Sequence, residues 1–161
     1  MLDGATLLRA AEVIDRFRAA GLTIATAESC TGGLIAAALT AIPGSSDVVL
    51  GGFVTYSNEA KAAMVGVDPG VIARVGAVSE EVARAMAEGA RRATGASVAV
   101  SATGIAGPGG ATLGKPVGLV FIGAAAAGGR VEVRRRVFPG DRAAVRAATV
   151  GVALETAAAM A

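Results

Sequence analysis

Thr23-Ile-Ala-Thr-Ala-Glu28-Ser29-Cys30-Thr31-Gly32-Gly33 decides how this chain folds. Thr23 to Ala27 is short, half β-branched and preceded by Gly21, which predicts a buried strand. Leu34 to Leu39 begins a helical pattern, so the order is strand, polar turn, helix. In an open α/β sheet such a turn lies at the carboxyl end of the strand. The following helix aims free N–H groups and the positive end of its dipole at whatever binds there. An anionic ligand is expected at the turn, with Thr31, Gly32 and Gly33 as its contacts. The plainer reading makes Thr31 a helix cap and the glycines packing relief.

Outward from this turn the pattern stays mixed. Before it, Leu7, Ala11, Ile14 and Phe17 recur at helical spacing, and Gly21 ends that helix. After it, Pro43 to Asp47 marks a turn, and Val48 to Tyr56 reads as a strand whose glycine pair suggests a bulge. Ser57 or Asn58 caps a short helix through Met64, Pro69 to Val75 forms another, and Ser79-Glu80-Glu81 starts a longer one ending at Gly95. Ser97 to Ala102 is a third strand, followed by a loop from Gly104 to Pro116. Val117 to Ala127 and Arg130 to Phe138 form a hairpin about Gly128-Gly129, and a final helix runs from Pro139-Gly140-Asp141 to about Met160. The expected fold class is α/β, one domain over residues 1–161. Its early strands are parallel through helical crossovers, and its hairpin turns one strand antiparallel.

Composition excludes several functions. The 161 residues suffice for one core, and although 53% are hydrophobic, no run of 18 uncharged apolar residues exists to span a membrane. Charges throughout the first twenty residues rule out a signal-peptide core there, so a cytoplasmic location is expected. One cysteine and no histidine exclude a disulfide framework and leave no ligand set for structural zinc. Aromatic content of 3% and a net charge of +2 give no basis for base stacking, so neither nucleic acid nor membrane is an expected partner.

Three groups of residues bear on chemistry. Gly109 to Lys115 copies most of a phosphate-binding Walker loop, but Pro116 replaces the hydroxyl residue that would hold magnesium and a strand follows instead of a helix. ATP hydrolysis is therefore rejected. Thr103, Gly104, Gly107, Gly109 and Gly110 still leave a strand end rich in backbone amides and are expected to line the same cleft. Secondly, the chain holds one tyrosine, one asparagine and two lysines against thirteen arginines, yet Tyr56, Asn58 and Lys61 fall within six residues. An ammonium can lose its proton where a guanidinium cannot, which makes Lys61 a candidate base. Thirdly, without histidine an activated hydroxyl needs lysine or tyrosine as its base. Ser29 with Lys61 meets that demand, Ser46 is a second hydroxyl candidate, and Cys30 is a rival nucleophile. Glu28 is placed to orient Lys61 or to hold a substrate hydroxyl.

Taken together, these residues resemble the C-terminal domain of competence-damage-inducible CinA proteins, whose members include nicotinamide mononucleotide amidohydrolases. The matching segments are Ala27-Glu-Ser-Cys-Thr-Gly-Gly33, Gly44-Ser-Ser46, Gly52 to Lys61, Gly76-Ala-Val-Ser79, Gly104-Ile-Ala-Gly-Pro108, Lys115-Pro-Val-Gly118 and Phe138-Pro-Gly-Asp-Arg142. They span nearly the whole chain in order. One departure is Ala111, where the family loop usually ends in glycine. The resemblance implies a three-layer α/β/α domain with a mixed, mostly parallel sheet. It implies hydrolysis of the nicotinamide amide to the acid and ammonia by serine and lysine with tyrosine assistance, needing no metal and no cofactor. The expected partner is a small mononucleotide, its phosphate held at the Thr31-Gly32-Gly33 turn or the Gly104 to Gly110 loop with help from Arg142, and a homo-oligomer is expected. Ser46 and Asn58 join the substrate contacts. The alternatives are a non-catalytic pyridine-nucleotide-binding or regulatory module, and a serine-lysine hydrolase of another amide.

Overall fold

A computed structural model describes residues 2–161. The elements are α1 (Gly4–Ala20), β1 (Ile24–Glu28), α2 (Leu34–Thr40), a 3-10 turn (Ser45–Asp47), β2 (Val49–Val54), α3 (Asn58–Val65), α4 (Pro69–Val75), α5 (Glu80–Thr94), β3 (Val98–Gly104), β4 (Leu119–Ala126), β5 (Val131–Val137) and α6 (Arg142–Ala158). The five strands lie in the order β2-β1-β3-β4-β5. β1 pairs in parallel with β2 and β3, while β4 is antiparallel to both β3 and β5. β4 is thus the one reversed strand of a mixed sheet, as the hairpin predicts. The β1–β2 register shifts between the pairs Ile24–Val49 and Ala25–Gly51, the bulge that the glycine pair foretells.

Helices cover both faces. Phe17, Ile35, Leu39 and Leu154 pack with Ile24, Val100 and Ile122 on the α1, α2 and α6 side, and Val65, Ile72, Val82 and Met86 pack with Ala25, Ala27 and Ala99 on the other. A strand covered on both faces has no polar side, and all five residues of β1 are buried accordingly. On α1 the buried stripe is Thr6, Ala10, Val13, Ile14 and Phe17. Leu7 and Ala11, which share the helical spacing, are only half-buried because they flank the stripe. Asp3, Ser57, Asp68, Ser79 and Asp141 each cap a helix start with a side-chain oxygen. α2 instead begins on Gly33, which offers no side chain.

The close approach of α3 and α5 requires Gly89. A Cβ there would collide with the Val65 carbonyl oxygen, a backbone atom that cannot swing away. Overpacking costs about 1–3 kcal/mol in ordinary cores. A backbone collision lies at the upper end, above the gain of about 1 kcal/mol that alanine brings to a helix interior. Gly89→Ala is therefore expected to lower the thermal midpoint by about 4–8 °C in a calorimetric scan.

Candidate active site

The strand order puts the carboxyl ends of β1, β2 and β3 side by side, and the chain turns sharply after Glu28. The Ser29 N–H donates to Ala102 O of β3 (2.9 Å) and the Thr55 N–H to Glu28 O (2.8 Å), so three strand ends are tied together. Gly32 and Gly33 complete the turn at φ of 60° and 102°, the left-handed region that glycine tolerates.

Glu28 is fully buried. Its carboxylate accepts from the Thr31 hydroxyl (2.7 Å) and from the N–H groups of Gly33 (3.1 Å), Ile35 (2.9 Å) and Ala36 (2.8 Å). The anion at the start of α2 is therefore the protein's own, which answers the missing cap and leaves no room for a ligand phosphate there. Glu28, Thr31, Gly32 and Gly33 build the turn and do not form a substrate site at that helix end. Nor does Glu28 orient Lys61, since all its hydrogen bonds run to α2 and the turn.

Lys61 enters from the opposite layer. Its place on α3 turns its side chain inward and it is 1% exposed. Nζ lies 3.1 Å from Ser29 Oγ, 3.0 Å from Thr55 O and 3.3 Å from Tyr56 O. A neutral amine has two hydrogens and one lone pair. The two carbonyls can take the hydrogens, which leaves the lone pair facing the serine hydroxyl. Burial holds the amine below the ordinary lysine value of 10.5, partly opposed by Cys30 and Glu59.

Ser29, Cys30, Tyr56, Asn58, Lys61, Thr103, Gly104 and Arg142 line a cavity of about 240 Å³, closed by Ala77, Val78 and Ala106. Thr103 holds one wall by donating to Ala77 O (2.9 Å). Arg142 crosses the mouth, donating to Gly107 O (2.9 Å) and to the Tyr56 hydroxyl (3.0 Å). Tyr56 thus faces the cleft with its hydroxyl engaged by Arg142, and Lys61 is the basic group in contact with Ser29. Gly107 takes part through its carbonyl, while Gly109 and Gly110 are exposed and do not line the cavity. Ser46 is exposed in the 3-10 turn before β2, at the amino edge of the parallel strands. A strand length, roughly 17 Å, separates that edge from Ser29, so Ser46 of the same chain is not the nucleophile.

The Walker-like loop is a strap: its Lys115 donates to Val75 O at the end of α4 (2.6 Å), and Thr112 bridges to Lys115. The sequence reading missed Arg146, which donates to Cys30 O and Thr31 O (3.1 Å each) and pins the serine turn to α6. Its only signal is the four-residue spacing from Arg142, which puts both on one helix face. A larger, shallower groove of about 720 Å³ between α3 and α4 is lined mainly by Ala62, Ala63, Pro69, Ile72 and Ala73 and carries no nucleophile. Among the described residues no three His, Cys, Asp or Glu side chains gather into a metal site, and no helix is long and apolar enough to cross a membrane.

Comparison with known proteins places these features in a family. The CinA C-terminal domain matches residues 8–161. A CinA-like protein of Geobacter sp. (strain M21) is 59% identical over 137 residues, covering 85% of this chain and 33% of that protein. The chain spans about a third of the length of the curated relatives it matches. The crystal structure of the competence/damage inducible protein CihA from Agrobacterium tumefaciens superposes with a TM-score of 0.96 at 47% identity, covering 99% of this chain and 98% of that one. The competence damage-inducible protein A from Klebsiella pneumoniae gives 0.92 at 37% identity, covering 96% and 95% respectively.

Burial pushes the Cys30 thiol up to about 11 from 9.0. At neutral pH this lowers its thiolate fraction roughly 100-fold. Alkylation of the native protein, followed by intact mass, is expected to run at least that much slower than alkylation of the denatured chain. Rapid native labelling would show the thiol to be activated.

Proposed function

The chain belongs to the CinA C-terminal domain family, and from that premise we propose that it hydrolyses the carboxamide of nicotinamide mononucleotide to nicotinic acid mononucleotide and ammonia, with Ser29 as nucleophile and Lys61 as its base. The observation that carries this reading is the buried Lys61 amine 3.1 Å from Ser29 Oγ, its other two directions occupied by backbone carbonyls. In a chain without histidine this is the pairing that can activate a hydroxyl.

In the first step the Lys61 lone pair takes the Ser29 proton as Oγ attacks the amide carbon. The Cys30 N–H, which no backbone carbonyl takes up and whose residue lines the cavity beside Ser29, is assigned to the oxyanion. Collapse of the tetrahedral adduct breaks the C–N bond, the Lys61 ammonium protonates the departing nitrogen, and ammonia leaves an ester on Ser29. Water then attacks the ester with Lys61 again as base, and the acid departs as Ser29 recovers its proton. The cavity is sized for the pyridine ring, with ribose and phosphate projecting towards Arg142, whose guanidinium matches a phosphate.

Ammonia release from nicotinamide mononucleotide tests the reading. Ser29→Ala and Lys61→Arg should each lose roughly 10²–10⁴-fold in turnover, because arginine keeps the charge and cannot accept a proton near neutral pH. Cys30→Ala should keep most of it. Substantial turnover in a folded Lys61→Arg protein contradicts the base assignment. Thermal stabilisation by the mononucleotide without any ammonia would mark the chain as a binding module instead.

A further inference from the structure

The phenol of Tyr56 stands apart from the proton path. Tyr56 is the one tyrosine of the chain and lines the cleft, yet Lys61 Nζ meets it through its main-chain oxygen (3.3 Å) and not through the ring. Ser29 Oγ is met by Lys61 itself. Among the described residues the Tyr56 hydroxyl has one partner, Arg142 Nη2 at 3.0 Å. What the phenol touches is a cation at the mouth, not the nucleophile. That cation is held by two neutral oxygens, since Nη1 donates to Gly107 O (2.9 Å) and Nη2 to the Tyr56 hydroxyl. Arg142 forms no ion pair among the described residues. A guanidinium carries five N–H donors in one plane, so two are spent on these pins and three remain.

We propose that Tyr56 is a positioning residue for the substrate's phosphate: with the Gly107 carbonyl it fixes the Arg142 guanidinium for a mononucleotide, sets the preference for the nucleotide over its nucleoside, and takes no proton from Ser29. A long side chain that must be immobilised at the moment of binding costs affinity, and one already held does not. The neutrality of the two pins matters as much as their number. A carboxylate in either place would hold the side chain as firmly but would cancel its charge, whereas a phenol and a peptide carbonyl leave the charge for an incoming anion. The three residues come from distant parts of the chain, Tyr56 after β2, Gly107 in the strap after β3 and Arg142 at the start of α6, so the fold brings them together at the mouth. The tyrosine assistance that the family resemblance implies then falls on the phosphate and not on the proton. That the anion is a nucleotide phosphate rests on the amidase reading; the pinning of the guanidinium does not.

Calorimetric titration of Ser29→Ala proteins, in which the ligand is not consumed, separates phosphate from ring. Tyr56 is 59% exposed, so phenylalanine in its place keeps the fold and removes the pin alone. Tyr56→Phe should weaken nicotinamide mononucleotide by about 3–10-fold, the cost of immobilising one long side chain, and leave nicotinamide riboside unchanged. In an Arg142→Ala background the same substitution should change neither ligand, because a residue that acts through Arg142 has nothing left to position. With Ser29 restored, Tyr56→Phe should raise KM for ammonia release by the same factor and hold kcat within about twofold. A fall in kcat of about tenfold or more would return the phenol to proton transfer and overturn the proposal. Unchanged affinity for the mononucleotide, equal weakening of the riboside, or an undiminished effect in the Arg142→Ala background would overturn it as well. Mononucleotide binding with the expected pattern but no ammonia from the unsubstituted protein would overturn the amidase reading alone, and no binding of the mononucleotide would overturn both.

Discussion

The Glu28 carboxylate, buried at the start of α2 with four hydrogen-bond donors around it, is the interaction on which the site stands. A buried carboxylate is tolerated only where its charge is met, and here a helix dipole, three N–H groups and a hydroxyl meet it. Its oxygens hold the turn and the first residues of α2 at once, so the chain between has little freedom. Ser29 is the first residue of that turn. Arg146 anchors the same turn from α6 through the carbonyls of Cys30 and Thr31. The nucleophile is thus held by one internal anion and one long-range cation, neither of which touches Ser29 Oγ.

Opposite this rigid turn stands a lysine placed where lysines seldom lie. Burying the Lys61 amine disfavours its charged form, and the carbonyls of Thr55 and Tyr56 fix its direction. Both carbonyls belong to the segment leaving β2, whose pairing with β1 also fixes Ser29. One strand pair therefore positions the nucleophile and its base together. Burial likewise favours the neutral form of the neighbouring Cys30, and for a thiol the neutral form is the unreactive one, so the hydroxyl gains a base where the adjacent thiol loses its nucleophilic anion.

Much of this was legible in the sequence. Hydrophobic periodicity and hydroxyl or acid caps located the helices, Gly51-Gly52 announced the bulge, and the scarcity of Tyr, Asn and Lys drew attention to positions 56, 58 and 61. What local pattern does not report is which groups meet at the ends of elements. The start of a helix after Thr31-Gly32-Gly33 reads as an anion site, and it is one, but Glu28 folds back five to eight residues to fill it. That depends on turn geometry, which spacing does not encode. Ser46 is close to Tyr56 along the chain, yet a residue preceding a parallel strand lies at the edge opposite the one that follows it. Arg146 lies more than a hundred residues from the turn it pins, and no local pattern reports such a contact.

The central claim is that Lys61 is set up to be a neutral amine. With only two lysines in the chain, ¹³C labelling of lysine side chains and a Lys115→Arg variant isolate the Lys61 resonance in a pH titration. The account predicts a titration midpoint below 10.5, reached while the protein remains folded. A midpoint at or above that value would mean that the amine stays charged beside Ser29, and Lys61 would then be a fixed cation and not the base.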